Sequence, residues 1–459
     1  MPLPDQSTFK EQGGTATMDP GRLRRWLTSK VMSVMSSPKR LAKQRSKAEQ
    51  LRLKHNRPHV VEYFHQVDDG YSHLAAQVLQ PLLARYDIEL VCHLVSGPSG
   101  DNSPDQDLLL QLAQYDAAIV APHYQLNFPV ERVPPTAAQV SLACSVLAAQ
   151  PPEALPACLV EVGSALWSSN TSALDDLAAT LGTVSTTETA KKMEAGDQRQ
   201  QQLKHYSGAM FYYAGEWYWG VDRLYHLEQR LAGLGGDKTP GQPLLVPRPQ
   251  IDVGDVKDNG SLTLEIYPSL RSPYTAIAFD RTVQLAKDSG VKLVVKPVIP
   301  MVMRGVPVSR EKGLYILFDT GREARAAKVP FGNIADPIGE PVRRCYSLYP
   351  WACEQGKGNE LLSSFLAAAF TEGVNTNSDK GLRYVVERAG LSWSQAQPLV
   401  GDTAWQALLE SNRQAMYEMG LWGVPSYRLL DSNGDQVLAL WGQDRLWLFA
   451  REIKRLLSY

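Results

Sequence analysis

Four residues offer a site for chemistry, Arg271-Ser272-Pro273-Tyr274. They follow the strand-like run Leu262-Thr263-Leu264-Glu265-Ile266-Tyr267 and precede helically spaced Tyr274, Ile277, Ala278, Val283, Leu285 and Ala286. Proline suits the first turn of a helix, where its missing N–H has no intrahelical partner, and serine just before it is a good N-cap. The Ser272 hydroxyl therefore falls where unpaired N–H groups and the helix dipole favour an anion. An ordinary capped helix has the same signature, so the rest of the chain must decide whether the anion is a ligand.

Three other stretches can be tied to this serine. Gly423-Val424-Pro425-Ser426-Tyr427 opens a strand, and a cis Val424-Pro425 bond would turn the Val424 backbone toward an extended peptide-like ligand. A trans proline opening an edge strand is the plainer alternative. Gly442-Gln443-Asp444-Arg445 sets an amide and a carboxylate at a helix start, which fits an α-amino-acid group or a simple Asp444 cap. Lys312-Gly313-Leu314-Tyr315 supplies a cation able to meet a carboxylate, or a solvated lysine.

The elements that carry these stretches occur twice. His59–Phe64, a helical stretch with Leu74, Val78, Leu79, Leu82 and Leu83, and Ile88–Val95 make a βαβ unit whose crossover implies parallel pairing. Residues 107–203 read as mostly helical. Ala209–Tyr213 and Glu216–Trp219 then form a hairpin through Ala214-Gly215, followed by a helix from Val221 to Leu234. In the second half Glu265 aligns with Glu62, Tyr274 with Tyr71 and Leu293 with Leu90, while Trp441–Leu446 answers Trp219–Leu224. Matches in one order at both ends predict a tandem duplication. The fold class expected is α/β, with two tandem thioredoxin-like domains, each bearing a helical insertion.

A chain of 459 residues is long for one core. The expected division is a basic arm at 1–57, disordered over 1–20; a first domain at 58–236; a linker at 237–259; and a second domain at 260–459 with its insertion at about 330–415. From Arg22 to Arg57 twelve cations face Glu49 alone, and Leu23, Trp26, Leu27, Val31, Val34 and Met35 recur at helical spacing. Such a helix can bind an anionic membrane surface or nucleic acid, but an arm packed on its own protein or another subunit is the reading preferred. The net charge of -1 makes no general case for nucleic acid. No apolar run is long enough to span a bilayer and no secretory signal is seen, so a cytoplasmic location is expected. Cys92, Cys144, Cys158, Cys345 and Cys353 contain no C-x-x-C pair, which argues against a disulfide framework, a dithiol redox centre and a zinc ribbon; no metal is expected.

With these stretches in order, residues from about 261 to 459 resemble the DsbA-like thioredoxin-fold family, in its branch of 2-hydroxychromene-2-carboxylate isomerases and kappa-class glutathione transferases. Ser272-Pro273-Tyr274, Lys312–Tyr315, Phe365–Asn375, Ala389-Gly390-Leu391, Gly420–Tyr427 and Trp441–Leu446 carry the likeness. The resemblance implies glutathione as cofactor and a small, aromatic or conjugated second substrate. Ser272 would hydrogen-bond the thiolate at the helix N-terminus, with Pro273 and Tyr274 beside it. Val424 before cis-Pro425 would pair with the cysteinyl backbone of glutathione. Gln443 and Asp444 would hold the γ-glutamyl end, and Lys312 would approach a carboxylate. Met301–Pro307 stands where the family has a Gly-Asn pair, so the likeness bears on glutathione more than on a chromene carboxylate. The first half carries Asp69 at the serine position and Gly208 at the proline position, and reads as a degenerate, structural or partner-binding copy. Its alternatives for assembly are a pseudo-dimeric monomer or a homodimer. The competing functions are a DsbA-like thiol–disulfide oxidoreductase without C-x-x-C and a non-catalytic tandem scaffold.

Overall fold

A computed structural model of the chain describes residues 19–103, 106–129, 133–168 and 171–458. The expected disorder at 1–20 therefore falls almost wholly outside the described residues. The chain divides into two compact units, residues 42–248 and residues 1–41 with 249–459. The basic segment thus does not form one body. Helix α1 (Arg22–Met35) belongs to the second of these units, and α2 (Pro38–Lys54) crosses the boundary between them.

In the unit of residues 42–248, strands β1 (Val60–His65), β2 (Glu89–Leu94), β3 (Met210–Tyr213) and β4 (Glu216–Trp219) form a sheet in the order β2-β1-β3-β4. Strands β1 and β2 are parallel, as the helical crossover demands, and the other pairs are antiparallel. The two-residue turn between β3 and β4 places Ala214 and Gly215 at φ 45° and 89°, the left-handed pair that matches strand twist in a tight hairpin. Val61, Tyr63, Leu74, Leu79, Phe211, Leu224 and Leu227 fill the core. The segment after Gly236 is not a free linker. Leu245 and Val246 donate their N–H groups to Glu228 at 2.8 and 3.0 Å, and Arg85 pairs with Asp237.

The second sheet, in the unit that contains Ser272, repeats that order as β6-β5-β7-β8 with the same directions. Its strands are β5 (Thr263–Tyr267), β6 (Lys292–Val295), β7 (Ser426–Leu430) and β8 (Gln436–Trp441). Leu264, Ile266, Ile277, Phe279, Tyr427, Leu429, Leu440 and Phe449 pack together where the flanking helices cover the strands. The helical segment between β6 and β7 runs from Arg310 to Glu418, beginning earlier than the expected residue 330.

Candidate active site

The sequence Ser-Pro-Tyr folds as its residue types dictate. Ser272 is extended at φ -84° and ψ 118°, and Pro273 opens the helix Pro273–Ser289. The Ser272 hydroxyl accepts from the Thr275 N–H at 3.2 Å, so it is a true N-cap. It also lies 3.4 Å from the Val424 carbonyl oxygen, a long hydrogen bond across 152 positions. The Val424-Pro425 peptide is cis. The strand entry is fixed from both sides: Gly442 N–H donates to the Pro425 carbonyl at 3.0 Å and the Ser426 hydroxyl to the Gly423 carbonyl at 2.7 Å. Gly423 has no room for a side chain, because a Cβ there would lie 2.0 Å from the Trp441 ring.

Around the cap, charged groups hold the helix in place. Arg271 makes two bonds to the Asp336 carboxylate, at 3.1 and 3.3 Å. The Tyr274 hydroxyl donates to Asp319 at 2.8 Å, and Arg322 donates to the other Asp319 oxygen at 2.7 Å. Gln443 is almost wholly buried; its amide nitrogen donates to Glu323 at 3.1 Å and its oxygen accepts from Arg281 at 3.2 Å. Arg281 lies on the Ser272 helix, whereas Asp319 and Glu323 lie on the helix Arg310–Ala326. Asp444 sits beside Arg445, at 3.8 Å, in the turn after β8. Lys312 occupies the first turn of Arg310–Ala326, where its backbone N–H meets the Ser309 cap.

The structure thus brings Ser272 and Val424 together and links Gln443 to the Ser272 helix through Arg281. The residues that sequence reasoning did not single out are the carboxylates of this network, Asp319, Glu323 and Asp336, and the β5 residue Glu265. Glu265 is contacted by Lys296 and Arg428, both at 2.6 Å, and by the Tyr267 hydroxyl at 2.9 Å. Burial alone would raise its pKa, but the hydrogen bonds from Arg428, Lys296 and Tyr267 outweigh it and hold the carboxyl below its usual range. A charged residue within an otherwise apolar strand was the available signal.

Chemically, the site offers a hydroxyl and a helix N-terminus without a nearby base in sequence. All eight histidines fall within residues 55–226, outside this unit. Burial pushes the Cys345 thiol far up and raises that of Cys353, so neither is an activated thiolate. Among the described residues no group of three or more His, Cys, Asp or Glu is placed to hold a metal ion.

The corresponding position of the other sheet differs in kind. Asp69 accepts from the Ser72 N–H at 2.9 Å and the Ser72 hydroxyl at 2.8 Å, and burial pushes its carboxyl up to about 6. Gly208 abuts Gln66, whose Cβ would lie 2.6 Å from any Cβ added there. A proline at 208 would not fit. Tyr71 nevertheless donates to Asp116 at 2.7 Å, repeating the Tyr274–Asp319 bond at the same separation of 45 residues.

A 2-hydroxychromene-2-carboxylate isomerase structure is similar at 19% identity and TM-score 0.36, covering 42% of this chain and 95% of its own. A probable DsbA oxidoreductase from Streptomyces coelicolor gives 19%, TM-score 0.34 and coverages of 42% and 89%. The cytosolic disulfide reductase DsbM from Pseudomonas aeruginosa, solved with GSH, gives 16%, TM-score 0.33 and coverages of 43% and 97%. No curated protein matches the chain. The family model described as the DSBA-like thioredoxin domain matches residues 263–454, and this part of the chain is accordingly a DSBA-like thioredoxin domain.

Proposed function

We propose that the unit containing Ser272 is a glutathione-dependent isomerase or transferase acting on a small conjugated or aromatic electrophile. The observation that carries the proposal is the meeting of the Ser272 hydroxyl, at a helix N-terminus, with the Val424 carbonyl. A contact of 3.4 Å is weak enough for the hydroxyl to exchange Val424 for a stronger, charged acceptor. A thiol with a pKa of about 8.5 is mostly protonated at neutral pH, and a hydroxyl donor plus the helix dipole lowers it.

The thiolate then adds to the electrophile, forming a C–S bond while the electron pair moves onto the conjugated carbonyl oxygen. Rotation about the bond now single, collapse of the enolate and expulsion of the thiolate give isomerisation. Displacement of a leaving group, with the sulfur retained, gives transfer. Dithiol chemistry is disfavoured because the sequence contains no C-x-x-C. Val424 would pair with the cysteinyl backbone, and Asp444 and Lys312 would meet the charged ends of the tripeptide. Gln443, engaged by Glu323 and Arg281, would position the turn or rotate to contact the γ-glutamyl group.

The repeated strand order and the paired Tyr–Asp bonds support reading the chain as a duplication. In that reading residues 42–248 are a degenerate thioredoxin-like copy, in which the Asp69 carboxylate would repel a thiolate. Glutathione titration of the whole chain, followed by thiolate absorbance near neutral pH, tests the function. Wild type should bind and lower the thiol pKa; absent binding, or an equal pKa with Ser272→Ala, would overturn it.

A further inference from the structure

Helix α1 is turned inside out. It spans Arg22–Met35 and contains Arg22, Arg24, Arg25 and Lys30 but no acid. Its docked side is polar: Arg25 donates to the backbone oxygens of Asp336 and Ile338. The Ser29 hydroxyl accepts from the Asp336 N–H at 3.0 Å, and the Ser33 hydroxyl accepts from the Ile334 N–H at 2.8 Å. Those positions recur at i, i+4 and i+8, a single stripe of a helix. The opposite stripe is Leu23, Leu27, Val31 and Val34, with relative exposures of 77%, 55%, 47% and 58%. Trp26, exposed at 57%, borders it. An ordinary amphipathic helix on a soluble body buries such a stripe. Here the hydrogen-bonding side docks and the apolar side does not.

Between the docked side of α1 and the segments at residues 333–341 and 373–378 lies a cavity of about 520 Å³, with Arg22, Trp26 and Lys30 in its wall beside Arg25, Ser29 and Ser33. Lys30 flanks the exposed apolar stripe and the Trp26 ring borders it, which is what an interfacial helix requires; Arg22 is exposed at the first turn, on the side of Arg25 and Ser29. We infer that α1 is a docking element for an anionic lipid surface, with Leu23, Leu27, Val31 and Val34 entering the acyl boundary. Lys30 meets the phosphate groups, and exposed Arg22 adds to the positive charge near them. A second copy of the chain fits less well. A helix of 14 residues is about 21 Å long, and one stripe of it offers far less than the ~800 Å² per partner of a stable dimer. Pairing two such helices would also set cations against cations, with no acid on either. Within the basic segment, α1 rests on its own unit through its polar side.

This inference is independent of the glutathione site. The test is co-sedimentation of the full chain with vesicles of phosphatidylcholine alone or mixed with phosphatidylglycerol. Wild type should sediment with the mixed vesicles and not the neutral ones. Leu27→Ser with Val31→Ser, and separately Arg22→Gln with Lys30→Gln, should each weaken binding at least tenfold with an unchanged thermal transition. No sedimentation with mixed vesicles would overturn the inference. So would binding that survives loss of Leu27 and Val31, which would mean charge adhesion alone. A concentration-dependent dimer, lost in that variant and without vesicle binding, would assign the stripe to a second copy and equally overturn it.

Discussion

The Tyr274 hydroxyl donates to Asp319 at 2.8 Å, two residues beyond the Ser272 cap. Because Tyr71 makes the same bond to Asp116, the contact belongs to the frame of the helix entry and not to a feature unique to the serine site. Tyr274→Phe should therefore cost stability, about 1 kcal/mol for a lost hydrogen bond to a charged acceptor still held by Arg322. Glutathione affinity should change less than roughly threefold. Thermal denaturation beside a glutathione titration separates the two, and a large loss of affinity with unchanged stability would place the hydroxyl at the ligand.

Ser272 can be divided into cap and chemistry. Ser272→Ala removes the acceptor for Thr275 N–H and should cost about 1 kcal/mol. Ser272→Asp retains a good cap, as Asp69 does for Ser72, so its melting temperature should stay close to wild type. Both variants should lose the lowered thiol pKa of bound glutathione, the aspartate more severely because it adds a negative charge. An aspartate variant that still activated the thiol would show that the helix terminus alone suffices.

Gly423 sets the position of Val424 by allowing the Trp441 ring to lie against the backbone. Gly423→Ala would place Cβ 2.0 Å from that ring, so Trp441 or the strand entry must move. Overpacking of this kind costs about 1–3 kcal/mol. Moving the strand entry also withdraws the Val424 carbonyl from Ser272. Chemical denaturation should register the loss of stability, and glutathione affinity should fall in the same variant. Full affinity would show that Trp441 alone gave way.

Acid should unfold residues 42–248 before the unit containing Ser272. Burial depresses His65 and His205 to about 3 and His73 to about 4, with His73 adding repulsion at His65. Their unfolded value is about 6.5, so the unfolded state binds more protons below it. Stability from these three neutral groups is complete above about pH 6.5 and is lost as the pH falls toward 3. Asp69 acts oppositely: raised to about 6, it makes the fold less stable as pH rises from about 4 to 6. Burial also raises Glu228, which acts with Asp69, and lowers His59, which acts with the other imidazoles; two carboxyls oppose four imidazoles, so the net effect is loss on acidification. Glu62 is held at about 2: burial alone would raise it, but the hydrogen bonds and charges of Arg199 and His93 outweigh burial, and its stabilising share is lost as the pH falls below about 4.5. Limited proteolysis with an acid-tolerant protease at pH 7 and pH 5, read by mass spectrometry, should show new cuts confined to residues 42–248. Equal susceptibility of both units would contradict the assignment.

Much of this arrangement was legible in the chain itself. Strand and helix order, the Ser272 cap and the hairpin at Ala214-Gly215 follow from local rules, because capping, proline placement and tight turns depend on neighbours in sequence. The family likeness rested on the same local motifs, spaced in order along residues 263–454. What tertiary structure decided was which distant groups meet. Nothing local says that Val424 comes to Ser272, that Arg271 is held by Asp336, or that Gln443 turns its amide to Glu323 and Arg281. Those contacts join residues 65 to 162 positions apart and depend on how distant strands, helices and loops come together. The same is true of α1. Its periodicity announced an amphipathic helix but not which side would dock. Only the folded chain, with backbone groups at residues 334–338 that required polar partners, fixed the serine and arginine side against the protein and left leucine and valine outside.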